Sequence, residues 1–221
     1  MNKSIAFVKL DLVTVKPYLT WKNLMIFTAV GLLLVVTSGS GLTAIAMVMA
    51  YAALYVSYPF AVGEKNGIDA LYVTLSIKRN TVVLGRYLFM LFVDIVAALF
   101  AYAFACLVLT VMQKEFNALE TLLVTGGLFW AYSLIQTVQL PIYFKLGYAK
   151  AKAIAYLPFV GLPLAVILLS SFLKSHLPME QVLDYFASNP IMIALIVAGV
   201  WTVAMLLSFR VSIIGYNKRD F

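Results

Sequence analysis

Six apolar stretches separated by short polar intervals set the plan of this 221-residue chain. The first runs from about Leu24 to Thr37 and the second from about Leu42 to Val62. The uncharged turn Ser38-Gly39-Ser40-Gly41 joins them and predicts a tight hairpin. The third covers Tyr87 to Met112, the fourth Thr121 to Phe144, the fifth about Ala153 to Leu173, and the sixth about Ile191 to Ile214. A helix needs roughly 20 apolar residues to cross a bilayer. The first stretch is short of that unless Trp21 and the Ser38–Gly41 turn complete it. Tyr51, Tyr55 and Tyr58 share a face of the second stretch, and Pro59 predicts a kink near its end. The pattern predicts an all-α integral membrane protein with six crossings. No internal repeat or low-complexity linker divides it, so the crossings form one domain over 23–221.

Ahead of the first crossing, residues 1–22 carry Lys3, Lys9, Lys16 and Lys22 against one acid, Asp11. Ile5, Val8, Leu12 and Val15 fall at helical spacing, which predicts an amphipathic helix lying in the membrane interface and ending at Pro17. The interval from Gly63 to Arg86, GEKNGIDALYVTLSIKRNTVVLGR, is the longest charge-bearing one between two apolar spans. Its middle, Ile68 to Val73, lacks Gly and Pro and can form a short helix.

Charge gives the spans a direction. Fourteen of the 16 lysines and arginines fall in the leader, in 63–86, in 145–152 or near the C-terminus. Only Lys114 and Lys174 fall in the opposite intervals, beside Glu115, Glu120, Glu180 and Asp184. Basic loops stay on the cytoplasmic side, so both termini are expected there. Composition agrees: 64% of residues are hydrophobic and 11% charged, with mean hydropathy +1.00. A soluble domain of this length could not hide that much apolar surface. The net charge of +7 therefore points to membrane orientation and not to nucleic acid.

Candidate chemistry is sparse. Cys106 is the single cysteine, so neither an internal disulfide nor a CxxC metal pair can form. His176 is the single histidine and falls in an expected outer loop, which leaves no His-based metal site or Ser/His/Asp set at membrane depth. No GxxxxGK[ST] occurs. Asp94 is the one acid inside a span, roughly 12 Å beyond Arg86 at the helical rise. A carboxylate there must be paired or wet. It is either a gate or substrate contact, or a polar anchor to Gln136, Gln139 or a tyrosine hydroxyl. Gly126-Gly127 and the alanines at 97, 98, 101, 103 and 105 allow close helix approach, within the chain or across a dimer.

Several segments carry a resemblance. They are Phe60-x3-Glu64-Lys65-Asn66-Gly67-Ile68-Asp69-x-Leu71, Leu75-Ser76-Ile77-Lys78-Arg79, and Val82-Val83-x-Gly85-Arg86-Tyr87. With Ser208, Ser212, Tyr216 and the ending Lys218-Arg219-Asp220-Phe221, they resemble the small ABC-2-type permease subunits of Gram-positive bacterial exporters. That group includes the phenol-soluble modulin exporter and lantibiotic immunity transporters. The resemblance implies a bacterial plasma-membrane permease that is not itself an enzyme. A separate ATPase subunit would bind ATP and Mg, and a second permease chain would complete a dimer. The cargo would be an amphipathic peptide or hydrophobic compound. The resemblance further implies a coupling helix within Glu64 to Val73. Glu64, Lys65 and Asp69 would be its charged contacts and Leu71 and Tyr72 its apolar ones, with Asn66 and Gly67 between. Two other readings are an ion-coupled secondary carrier using Asp94 and a membrane scaffold that transports nothing.

Overall fold

The computed structural model describes residues 3–18, 20–75, 77–113, 117–176 and 189–219. Among them no strand occurs, and nine α-helices account for nearly all of the described residues. They are α1 (Lys3–Val15), α2 (Trp21–Ser38), α3 (Gly41–Tyr55), α4 (Tyr58–Lys65), α5 (Ile68–Thr74), α6 (Arg79–Val111), α7 (Ala118–Leu146), α8 (Tyr148–His176) and α9 (Pro190–Asn217).

Local chemistry sets the boundaries. Thr20 caps α2 by accepting from the Asn23 amide at 3.3 Å, and Gly39 ends that helix at φ 60°. Trp21 and the Ser38–Gly41 turn thus do complete the short first stretch, giving 18 residues. Asn117 caps α7 through the amides of Leu119 and Glu120. The second stretch forms one helical unit interrupted at Val56–Ser57, both still in right-handed helical conformation; there the Ser57 hydroxyl donates back to the Leu54 carbonyl at 2.7 Å, and Pro59 lies in the first turn of α4.

Five helical units are long and apolar enough to cross a bilayer among the described residues: Trp21–Ser38, Gly41–Lys65, Arg79–Val111, Ala118–Leu146 and Ile191–Asn217. The fifth expected crossing falls inside α8, a 29-residue helix many of whose side chains lie outside the described set. His176 and Lys174 belong to the end of α8 and not to a loop. Lys114, Glu115, Glu180, Asp184, Asp220 and Phe221 lie outside the described residues. Outward faces are apolar: Leu99, Val111, Leu123, Ile191, Leu195 and Leu207 are each more than 60% exposed. Such faces are stable only against lipid.

The 33 residues of α6 make it the axis of the bundle, with α1, α3, α7 and α9 packed around it. Ala101 and Ala105 are fully buried with Ile45 and Met49 of α3, so these small residues serve contact within the chain. Gly126 and Gly127 have no atom of another described element within 4 Å of where a side chain would begin. The leader also departs from expectation. Its apolar face is not laid on lipid alone: Val15, Val8 and Leu12 pack with Tyr55, Tyr58 and Phe89. Phe7 sits over Gly85, where an added Cβ would stand 2.5 Å from the Phe7 Cβ.

Gly85→Ala is therefore expected to push α1 off α6 and cost about 1–3 kcal/mol, the usual range for overpacking. Thermal unfolding in detergent measures the loss, and Phe7→Ala in the same chain should recover part of it.

Candidate functional site

The ion pairs of the described residues gather at one end of the bundle, the end that carries the basic intervals. Glu64 closes α4, and its Oε2 accepts the amides of Tyr148 and, at 3.2 Å, Ala149. Those are the first free N–H groups of α8, so one helix caps another. Gly147 makes the approach possible. It sits at φ 78°, and a Cβ there would lie 2.8 Å from the Glu64 carboxylate and 2.6 Å from the Arg219 guanidinium. Arg219 stands 4.0 Å from Glu64 and 3.6 Å from Asp69. The Tyr216 hydroxyl donates to Asp69 Oδ1 at 3.1 Å. Arg79 donates to the carbonyls of Tyr216 and Asn217, both at 2.8 Å, and of Arg219 at 3.0 Å. It thereby satisfies the C-terminal end of α9 from the N-terminus of α6.

The expected short helix is α5, Ile68–Thr74, and its neighbours divide sharply by exposure. Lys65, Asn66 and Gly67 are exposed, and Leu71 is 52% exposed. Glu64 is exposed as well but already serves Arg219 and a helix end, while Asp69 faces the surface only in part and serves Arg219 and a tyrosine. Tyr72 departs from its expected place. It turns inward, 4% exposed, and meets the Phe7 ring edge-on with centroids 5.0 Å apart. Burial pushes its hydroxyl up to about 12, while Arg86 opposes the shift.

Beneath α5 lies a layer the sequence reading did not single out. Arg86, expected at the edge of a loop, is inside α6 and buried, 3.0 Å from Asp11 of α1. Its guanidinium lies 4.9 Å over the Phe60 ring. Burial raises the Asp11 carboxyl above its ordinary range, and the Arg86 charge opposes that rise. Phe60 stacks on Tyr143 at 5.1 Å and meets Phe144 edge-on at 5.0 Å, and Phe144 meets Tyr216 in the same way at 5.3 Å. A cavity of about 10 Å³, room for one water, lies between Phe60, Asp69, Arg86, Tyr216 and Arg219.

Deeper in the bundle the polar contacts tie helices pairwise. Tyr87 bonds Ser208 at 2.5 Å and Ser212 at 2.8 Å, and Ser208 donates to the Thr137 carbonyl at 2.5 Å. Gln136 donates to Asp94 at 2.9 Å, both fully buried. Gln139 does not join them: it donates to the Ala155 carbonyl of α8 at 2.8 Å. An apolar groove of about 480 Å³ runs between α2, α3 and α6, lined among others by Phe27, Tyr51, Tyr55, Phe92, Phe100 and Phe104. The segments that carried the resemblance are far apart in sequence. Here Tyr87 meets Ser208 and Ser212, and Glu64 and Asp69 meet Arg219 and Tyr216. The pairing of Asp11 with Arg86 had two sequence signals, the single acid of the leader and an arginine eight residues before Asp94.

Arg86→Met is expected to lower stability by about 3–5 kcal/mol, because it strands a buried carboxylate. Asp11→Leu in the same chain should restore most of that loss in a thermal melt, since an apolar pair replaces an ionic one.

A family model described as an ABC-2 family transporter protein matches residues 6–217, nearly the whole chain. No curated protein and no solved structure gives a match. Membership in this family implies a membrane setting and an ABC ATPase as partner. The chain belongs to the ABC-2 transporter family and is a multi-pass membrane permease subunit.

Proposed function

We propose that this chain is the permease of an ATP-driven exporter in a bacterial cell membrane. It crosses six times, keeps both termini in the cytoplasm, and works as a dimer of permease chains with two ATPase subunits. ATP and Mg belong to the ATPase. The cargo is an amphipathic peptide or another hydrophobic compound, and the apolar groove between α2, α3 and α6 has the chemistry for its apolar part.

One observation carries this reading. The exposed residues Lys65, Asn66, Gly67 and Leu71 lie at the end of α4 and the start of α5; Glu64 ties α4 to α8, Asp69 ties α5 to the end of α9, and Arg79 ties that end to α6. A push on that surface reaches several crossings at once. Lys65, Asn66, Gly67 and Leu71 are the contact residues. Glu64 and Asp69 act from behind, as the groups that pass the movement on. Tyr72 holds α5 to the leader.

The measurement is co-purification with an ABC ATPase co-expressed with this chain and permease-stimulated ATP hydrolysis in vesicles. Lys65→Glu with Leu71→Asp is expected to weaken association about tenfold or more, the loss typical of an interface hot spot, and to leave the melting temperature unchanged. Tyr72→Ala is expected to do the reverse, lowering stability by about 3–5 kcal/mol through the emptied aromatic site. Unchanged association in the first variant would sink the coupling assignment. Transport driven by an ion gradient without nucleotide, and lost in Asp94→Asn, would replace this reading with a secondary carrier.

A further inference from the structure

Asp94 and Gln136 face each other across α6 and α7 with no exposure to solvent. One bond joins them, from Gln136 Nε2 to Asp94 Oδ1 at 2.9 Å. Two oxygens are left over, Asp94 Oδ2 and Gln136 Oε1. Both are buried, and neither finds a donor among the described residues. A buried acceptor without a donor is costly, and two on one pair of side chains are costlier still.

Counter-charge does not resolve this. Among the described ion pairs none includes Asp94. On α6 the nearest cation is Arg86, roughly 12 Å along the helix at its rise, and it is engaged with Asp11. The α3 segment has no Lys, Arg or His; α7 has only Lys145, at its far end; and α9 has Arg210, on the outer surface, and none nearer. The one other acid on these packed faces is Glu120, at the start of α7. An ionised carboxylate would therefore stand alone at membrane depth.

We propose that Asp94 holds a resident proton and closes a two-bond ring with Gln136. In the neutral acid, the Oδ2–H group donates to Gln136 Oε1 while Gln136 Nε2 donates to Oδ1. One proton satisfies both orphaned oxygens and removes the charge. A carboxylic acid and a primary amide are complementary in this way, donor to acceptor on each side. The ring fixes α6 against α7 without placing net charge in the membrane. It makes Asp94 a positioning residue that keeps its proton, and it gives no role to an ion entering from either side. The inference concerns only this pair, and it holds whether or not the chain docks an ATPase.

The test is infrared difference spectroscopy of the whole chain in vesicles at neutral pH, wild type against Asp94→Asn. The expected result is a protonated-carboxyl carbonyl band, shifted by deuterium exchange, that Asp94→Asn removes. In Gln136→Leu the same band should move upward, because the carbonyl loses the Gln136 donor and the acid hydrogen loses its acceptor. Asp94→Asn should keep the wild-type melting temperature, since an Asn amide makes the same two bonds, while Asp94→Leu should lower it. If the difference spectrum shows a carboxylate pair of bands instead, or the band does not move in Gln136→Leu, the ring is wrong.

Discussion

Arg86 lies buried in the body of α6 and stays there because Asp11 meets it at 3.0 Å. Removing a guanidinium from water is costly unless a partner takes its charge. That partner comes from the leader, a segment before the first crossing. Much else follows from the pairing. Gly85 must stay bare so that Phe7 can approach. Phe7 then supplies the ring against which Tyr72 closes. Phe60 lies under the guanidinium and begins the aromatic layer that reaches Tyr143, Phe144 and Tyr216. One buried charge thus fixes the leader, the end of α4 and the inner face of α5 relative to α6.

The same rule governs the surface above. At the end of a membrane bundle, helix termini carry unsatisfied amides and carbonyls, and side chains must reach them. Glu64 reaches the amides of α8 and Arg79 reaches the carbonyls of α9. Each of these side chains belongs to a different helix from the terminus it serves. The charged residues of 63–86 are therefore structural ties as much as exposed groups. They join helices that sequence order keeps more than eighty positions apart.

How much of this the sequence discloses depends on the kind of signal. Hydropathy marks lipid-facing helices well, because the bilayer imposes a long uniform run. Five of the six stretches reappear as helical units long and apolar enough to cross, the remaining one falls inside α8, and the turn at Gly39 and the short helix at Ile68 were legible from their local residues. The ends of the helices were not. The third stretch looks as if it begins at Tyr87, yet α6 starts at Arg79. Charged residues lower hydropathy even when they are paired inside a helix, and Arg86 is such a case. The leader misled in the opposite way. An amphipathic pattern says that one face is apolar, not whether lipid or protein covers it, and Asp11 on that face was the clue. Asp94 was visible as an anomaly, but its choice of Gln136 over Gln139 depends on which residues of α7 turn toward α6.

The break at Val56–Ser57 divides what hydropathy presents as one crossing. An unbroken helix from Gly41 to Lys65 would behave as a stiff beam, and displacing its tip would require tilting all of it through the bilayer. The interruption gives up the regular helix bonding at one point only, and the eight residues of α4 beyond it are roughly 12 Å long at the helical rise. A swing of about ten degrees at Ser57 would shift the Glu64 end by about 2 Å. That is enough to loosen a hydrogen bond to the first amides of α8. The geometry trades the reach of a long lever for the sensitivity of a short one.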